Sequence, residues 1–205
     1  MAFPVDLTVT LTGATTAQLS SWRGGKTPLL VPEVARRPRA LYSFRDLVAL
    51  RTVVYLRSEI PLQRVRKAFQ ALQEMDLTDH PSRYQLWTDG VSVFLLLDED
   101  ISMDLVHRRG QQMLAGLGDV FAPFRNFRDQ EVVDFLHPRH RLEVRERRLG
   151  GWPTVAGTRV PFDVVADLVT DGDVSPEEVS DFYPTVSPAD VPDAVSFAEQ
   201  VRSAR

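Results

Sequence analysis

The sequence predicts an α+β fold, mainly helical, in three parts. These are a helical N-terminal part carrying a basic loop, a small mixed α/β middle segment, and a C-terminal module of three short helices. Three observations predict this. Capping residues followed by apolar residues at helical spacing recur from Thr15 to Leu72, and again from Pro161 to Ala198. Between them, Asp89-Gly90 separates two short β-prone runs, the pattern of a tight hairpin. Charge divides along the chain as well. The net −4 is the sum of +6 over residues 1–75, with 11 Lys and Arg against 5 Asp and Glu, and −10 over the rest. The parts are placed at residues 1–76, 77–140 and 141–205.

At 205 residues and 43% hydrophobic content the chain can bury real cores. It has no cysteine, which excludes disulfides, thiolate chemistry and Cys-based zinc sites. No basic-then-apolar leader opens the sequence, and no run approaches the ~18 apolar residues of a membrane span. A cytoplasmic protein without membrane association or cofactor is expected.

Leu7, Val9 and Leu11 alternate as a strand would, yet Leu7 and Leu11 are also one helical turn apart, with Gly13 immediately after. The helical reading makes this stretch the first helix of a helix-turn-helix. The second starts at the Thr15/Gln18 capping box and buries Leu19 and Trp22. Thr16, Gln18, Ser20 and Arg23 are then its exposed polar residues, of the types that major-groove readout uses. Gly24-Gly25 ends that helix. Lys26 begins a proline-rich loop in which Leu29-Leu30-Val31 has the composition of a wing strand and Arg36-Arg37-Pro38-Arg39 forms a basic tip. Ser43, with Asp46 at the capping-box position, starts a helix through Arg57, and Arg45 lies in its first turn. Pro61 opens another, with Leu62, Val65, Phe69 and Leu72 inward and Arg64, Arg66 and Lys67 outward.

In the middle segment, Tyr84–Trp87 and Val91–Leu97 form the arms of the Asp89-Gly90 hairpin, the second covered on both faces because Leu95–Leu97 do not alternate. Residues 102–114 read as a polar helix, followed by a Gly/Pro/Phe-rich connector to Phe127 and further strand between Glu131 and Arg148. In the last part, Pro161 starts a helix with Phe162, Val165, Leu168 and Val169 on one side, and Gly172 stops it. Ser175-Pro176-Glu177-Glu178 and Ser187-Pro188-Ala189-Asp190 repeat one start signal for two more helices, a three-helix, homeodomain-like arrangement.

Two resemblances follow from these residues. Pro153, Gly157-Thr158-Arg159-Val160-Pro161, Gly172, Ser175, Glu177-Glu178-Val179, Tyr183-Pro184, Ser187 and Asp190-Val191 resemble a small bacterial domain of unknown function common in antitoxins of toxin–antitoxin operons. Tyr42, Ser43, Asp46, Leu47, Leu50 and Arg57, with Pro61, Leu62 and Val65, resemble the MerR-type winged helix. That family carries an Arg two residues before the Tyr, where this chain has Ala40 and where Arg37 or Arg39 would supply the charge. Together the resemblances imply a VapB-like type II antitoxin. Such a protein neutralises a PIN-domain ribonuclease toxin of the VapC kind by direct binding and represses its own operon as a homodimer. The implied operator-DNA contacts are Thr16, Gln18, Arg23, Lys26, Arg36, Arg37, Arg39, Tyr42 and Arg45. The acidic later part is left for the toxin or a second subunit. A stand-alone MerR-type transcription regulator is the alternative.

Other chemistry is weaker in the sequence. Asp98-Glu99-Asp100 with Asp104 offers oxygen ligands but lacks EF-hand spacing, so an acidic turn is expected. Asp134, His137 and His140 have loose ligand spacing, interrupted by Pro138. Gly110, Gly116 and Gly118 lack the strand and Lys-Ser/Thr of a phosphate loop, and no serine sits on a nucleophile elbow. Arg159 is expected to brace helix-end carbonyls near Tyr183, and Tyr183-Pro184 to be a packing pair at a helix end.

Overall fold

The first eight-residue helix, α1 (Val5–Thr12), forms where an alternating pattern also fits a strand. Three threonines decide for the helix locally. The hydroxyls of Thr8, Thr10 and Thr12 each donate to the carbonyl four residues back, at 2.8, 3.0 and 2.7 Å, so β-branched polar residues are satisfied inside a helix packed on most sides. Gly13 then takes a left-handed φ of 74° and closes α1 onto the Val9 carbonyl. A side chain there would collide with Val132.

The computed structural model describes residues 1–25, 27–75, 82, 85–98, 101–106, 112–113, 120–170, 172 and 174–204. Among these the chain is mixed α/β, with seven α-helices and small antiparallel sheets. The cap-defined helices stand where their residues place them. They are α2 (Thr16–Arg23) with the reciprocal Thr15/Gln18 box, α3 (Phe44–Glu59) with the Ser43/Asp46 box, and α4 (Leu62–Glu74). Among the described residues, the loop between α2 and α3 holds no wing strand. Pro28 and Pro32 bracket the Leu29–Val31 run and remove ladder donors, and the Leu29 and Leu30 amides both turn back to the Trp22 carbonyl. Ala35 and Leu41 pair with each other, at 3.2 and 2.9 Å, pinching the chain below Arg36–Arg39.

The middle residues form one four-stranded antiparallel sheet, β1 (Leu86–Thr88), β2 (Val93–Asp98), β3 (Ile101–Asp104) and β4 (Gln112–Met113), in that order. The hairpin at Asp89-Gly90 is present, and Val93, Phe94 and Leu95 are buried in succession. The polar helix expected over 102–114 is absent from its described residues, which lie in β3, β4 and the turn after β3. The outer edge of β2 needs partners for its amides, and Met103 and Ser102 supply them in register with Leu95 and Leu96. Gly110, Gly116 and Gly118 lie outside the described residues.

Short ladders follow: β5 (Phe124–Arg125) with β6 (Glu131–Val132), and β7 (Leu142–Glu143) with β8 (Thr154–Val155). The last residues form α5 (Phe162–Thr170), α6 (Val179–Phe182) and α7 (Val191–Ser203), the latter two each entered through one 3₁₀ turn at Pro176 and Pro188. Helices α5 and α7 pack along one another, and Phe162 meets Phe197 edge-on at 4.8 Å.

Residues from all three sequence segments share one apolar cluster. Its seam is built on Arg51 of α3, fully buried, whose guanidinium donates to five carbonyls. Nη1 reaches Leu11 at 2.6 Å, Nε reaches Val120 at 2.7 Å, and Nη2 reaches Phe121, Ala122 and Val133 at 3.1, 2.9 and 2.8 Å. Its cation lies over Phe124 and Phe135 at 5.1 and 5.5 Å. One side chain thereby ties α1, α3 and the connector after the sheet.

The C-terminal part packs closely on the start of α3 at Gly151, at φ 88°, whose absent Cβ would overlap the Phe44 ring. Gly151→Ala combines a left-handed strain with a clash in packed surroundings. We expect a loss of roughly 2–4 kcal/mol, read as a fall in Tm of roughly 5–15 °C. An unchanged Tm would show that Phe44 has room to swing away.

Candidate nucleic-acid interface

The DNA contacts expected from the sequence divide by what their polar atoms already do. Thr16 is exposed on the first turn of α2, with Ala17, Ser20 and Ser21 on the same open side. Gln18 is committed to the cap. Its Oε1 accepts from the Thr15 amide at 2.7 Å, while its Nε2 is buried without a hydrogen-bond partner. Tyr42 is 1% exposed and its hydroxyl accepts from Arg23 Nη1 at 3.3 Å. Burial pushes the Tyr42 hydroxyl above its ordinary pKa, and the Arg23 cation opposes that in part. Tyr42 therefore positions Arg23 rather than reaching a ligand itself. Arg45 is exposed and paired with Glu33 at 2.5 Å, a carboxylate that also accepts from the Ser43 hydroxyl at 2.6 Å. Lys26 lies outside the described residues.

Arg36, Arg37 and Arg39 are different. All three are exposed, and none makes a hydrogen bond or ion pair among the described residues. They stand on a narrow tip closed by the Ala35–Leu41 pair, with Leu41 leading into Tyr42, whose amide and carbonyl pair with Phe3 at 2.9 and 2.8 Å. Ala40, 6% exposed, packs into the core, a place an arginine could not take without burying its charge. Arg64 and Arg66 of α4, expected to face outward, donate to the exposed Val91 and Thr27 carbonyls at 2.6 and 3.3 Å, so their guanidiniums are partnered at the surface. The tip thus carries three guanidiniums without partners among the described residues, and buried Ala40 and Tyr42 anchor its C-terminal side.

A second basic concavity belongs to the C-terminal part, and sequence reasoning missed it. Glu143 of β7 is 4% exposed and accepts from Arg145 Nε at 2.6 Å, from Arg148, and from the Gly157 amide at 2.7 Å. These bonds draw the loop after β7 against the Gly157-Thr158 turn and leave a cleft of about 640 Å³ lined by Arg145, Arg147, Arg148, Arg159, Thr158 and Thr185, among others. Arg159 does not brace helix-end carbonyls. It is exposed and has no hydrogen-bond partner among the described residues, and the Tyr183 amide closes α6 on Val179 instead. The signal in the sequence was Arg-x-Arg-Arg followed, after eight intervening residues, by Gly-Thr-Arg.

Residues 142–198, a little over a quarter of the chain, match the family described as "Protein of unknown function (DUF433)". The motif residues from Pro153 to Val191 all lie inside that match. No curated protein and no solved structure matches the chain.

Within the DUF433 region the caps are electrostatic as well as geometric. Burial pushes the Asp190 carboxyl up, but the Ser187 hydroxyl and amide and the Arg141 cation, at 3.0 Å, outweigh it and hold the group below its ordinary value. A carboxylate with a lowered folded pKa stabilises the fold above its unfolded pKa, and that contribution is lost as pH falls through the folded value. Asp190→Asn is accordingly expected to cost about 1 kcal/mol at neutral pH and less at an acid pH below the ordinary carboxylate value of about 3.9. Urea midpoints at the two pH values check it, and an equal cost at both would exclude the ionised cap.

The acidic candidates Asp104 and Asp134 are structurally occupied. Asp104 is buried and accepts from the Ser92 hydroxyl and from the Val106 amide at 2.7 Å. Glu99 and Asp100 lie outside the described residues, as does the Asp98 side chain. Asp134 Oδ1 accepts the Leu136 and His137 amides at 2.9 and 2.7 Å, an Asx turn, and His140 is exposed. No group of three or more possible metal ligands occurs among the described residues, and no helix among them is long and apolar enough to cross a membrane.

Proposed function

We propose that this protein is the antitoxin of a type II toxin–antitoxin pair. Its partner would be a PIN-domain ribonuclease toxin of the VapC kind, neutralised by direct binding, and its own operon would be repressed by DNA binding. The observation that carries the DNA half is the pinched tip of Arg36, Arg37 and Arg39, three exposed guanidiniums without partners among the described residues. Phosphates are their natural counterions, because neutralising a duplex releases its condensed cations. In this reading α1 and α2 act as a MerR-like helix-turn-helix, the tip takes the place of a wing, and Thr16, Ser20 and Arg23 on α2 face base edges. Arg45 exchanges Glu33 for a phosphate on contact. Tyr42 and Gln18 hold the geometry. The C-terminal match supports the antitoxin half through its resemblance to a domain common in such operons, and acidic faces of that part suit a basic patch on the toxin or a second subunit.

The protein is expected to retard a duplex taken from the DNA upstream of its own gene. Footprints should show two protected half-sites about one helical turn apart, as a homodimer requires. A single unpaired footprint would remove the dimer. A stand-alone MerR-type regulator would give the same footprint without any toxin, so the adjacent reading frame separates the two.

A further inference from the structure

We propose that the cleft of Arg145, Arg147, Arg148 and Arg159 binds the phosphates of the same duplex, as a second contact beside the Arg36–Arg39 tip. The inference rests on the DNA-binding reading above and extends it to the C-terminal part. Glu143 neutralises one of four guanidiniums and fixes two of them, Arg145 and Arg148, in place. Arg147 and Arg159 project into solvent with no ion pair among the described residues, and exposed Glu146 lies between the loop's arginines without lining the cleft. The Gly157 turn, φ 75°, has open space where a side chain would stand, so a ligand's backbone can come close. The lining is guanidinium, Thr158, Thr185 and one aliphatic residue, Val160. A protein partner would call for apolar or aromatic anchors at the centre of its site, whereas a charged, polar surface is what nucleic-acid interfaces present.

The two arginine sets are also joined in the fold. Phe3 pairs with Tyr42 at the foot of the tip and stacks on Trp152 at 5.7 Å, and a side chain on Gly150 would meet the Met1 amine at 3.0 Å. Residues 1–3 thus contact both the foot of the tip and the Gly150–Trp152 stretch that follows the loop of Arg145, Arg147 and Arg148.

The test uses the full chain and a short fluorescent duplex of mixed sequence, with anisotropy read from about 50 to 200 mM salt. Arg147→Ala with Arg159→Ala spares the Glu143 bonds, so an unchanged thermal melt is the folding control. The double variant should bind several-fold more weakly at about 100 mM salt. The slope of log K against log salt should be shallower by about 2, near 0.9 per lost phosphate contact. The double Lys variant should keep most of the slope. Unchanged affinity and slope in the double Ala variant overturn the cleft while leaving the tip assignment standing. Weakened binding there, with an unchanged Arg36/Arg37/Arg39→Ala variant, supports the cleft and removes the tip. Unchanged duplex binding together with lost capture of the adjacent gene's product overturns the proposal in favour of an acidic protein partner.

Discussion

Arg51→Met should lower the stability of the protein by about 3–5 kcal/mol, the largest effect expected of any single substitution here. Methionine fills much of the aliphatic volume, so the loss isolates the guanidinium. Five carbonyls, from Leu11, Val120, Phe121, Ala122 and Val133, would lose a donor that is itself fully buried. Lysine keeps the charge but offers one compact ammonium, which cannot span carbonyls on three segments. Arg51→Lys should therefore rescue little. Urea unfolding followed by circular dichroism checks both variants. A loss under about 1 kcal/mol in either would mean that α1, α3 and the connector hold together without this hub.

The second large effect is on DNA. Changing Arg36, Arg37 and Arg39 to Ala should cut affinity for the upstream duplex at least tenfold at about 0.1 M salt. It should also flatten the log–log salt dependence by about 3, near 0.9 per phosphate contact. Stability should hardly move, since these side chains are exposed and make no bond among the described residues. The loss should be similar on operator and unrelated DNA, because phosphate contacts carry no sequence information. Thr16 or Ser20 changed to Ala should instead erode the preference for operator. Unchanged binding by the triple variant would remove the tip from the interface.

Local grammar was the most legible part of this chain. Each of the four capping boxes, at Thr15, Ser43, Ser175 and Ser187, needs only residues three apart, and each is formed. The Asp89-Gly90 hairpin is legible for the same reason. What escaped depends on distant partners. Arg51 looks like one more charge on α3 until residues 40 to 82 positions away surround it. The 102–114 run has helix-compatible polarity, and only the need to pair the edge of β2 makes strands of its described part. Charge misled in one place. Counting −7 from Gly151 onward separated Arg159 from Arg145, Arg147 and Arg148, which the β7–β8 pairing folds into one cleft.

The most direct measurement is co-expression with the adjacent reading frame. An antitoxin role predicts that induction of the neighbour alone arrests growth with RNA cleavage. Growth should return when this chain is co-expressed, and the two proteins should purify as one complex. A neighbour that is harmless alone, or a toxic one that this chain neither binds nor relieves, would contradict it.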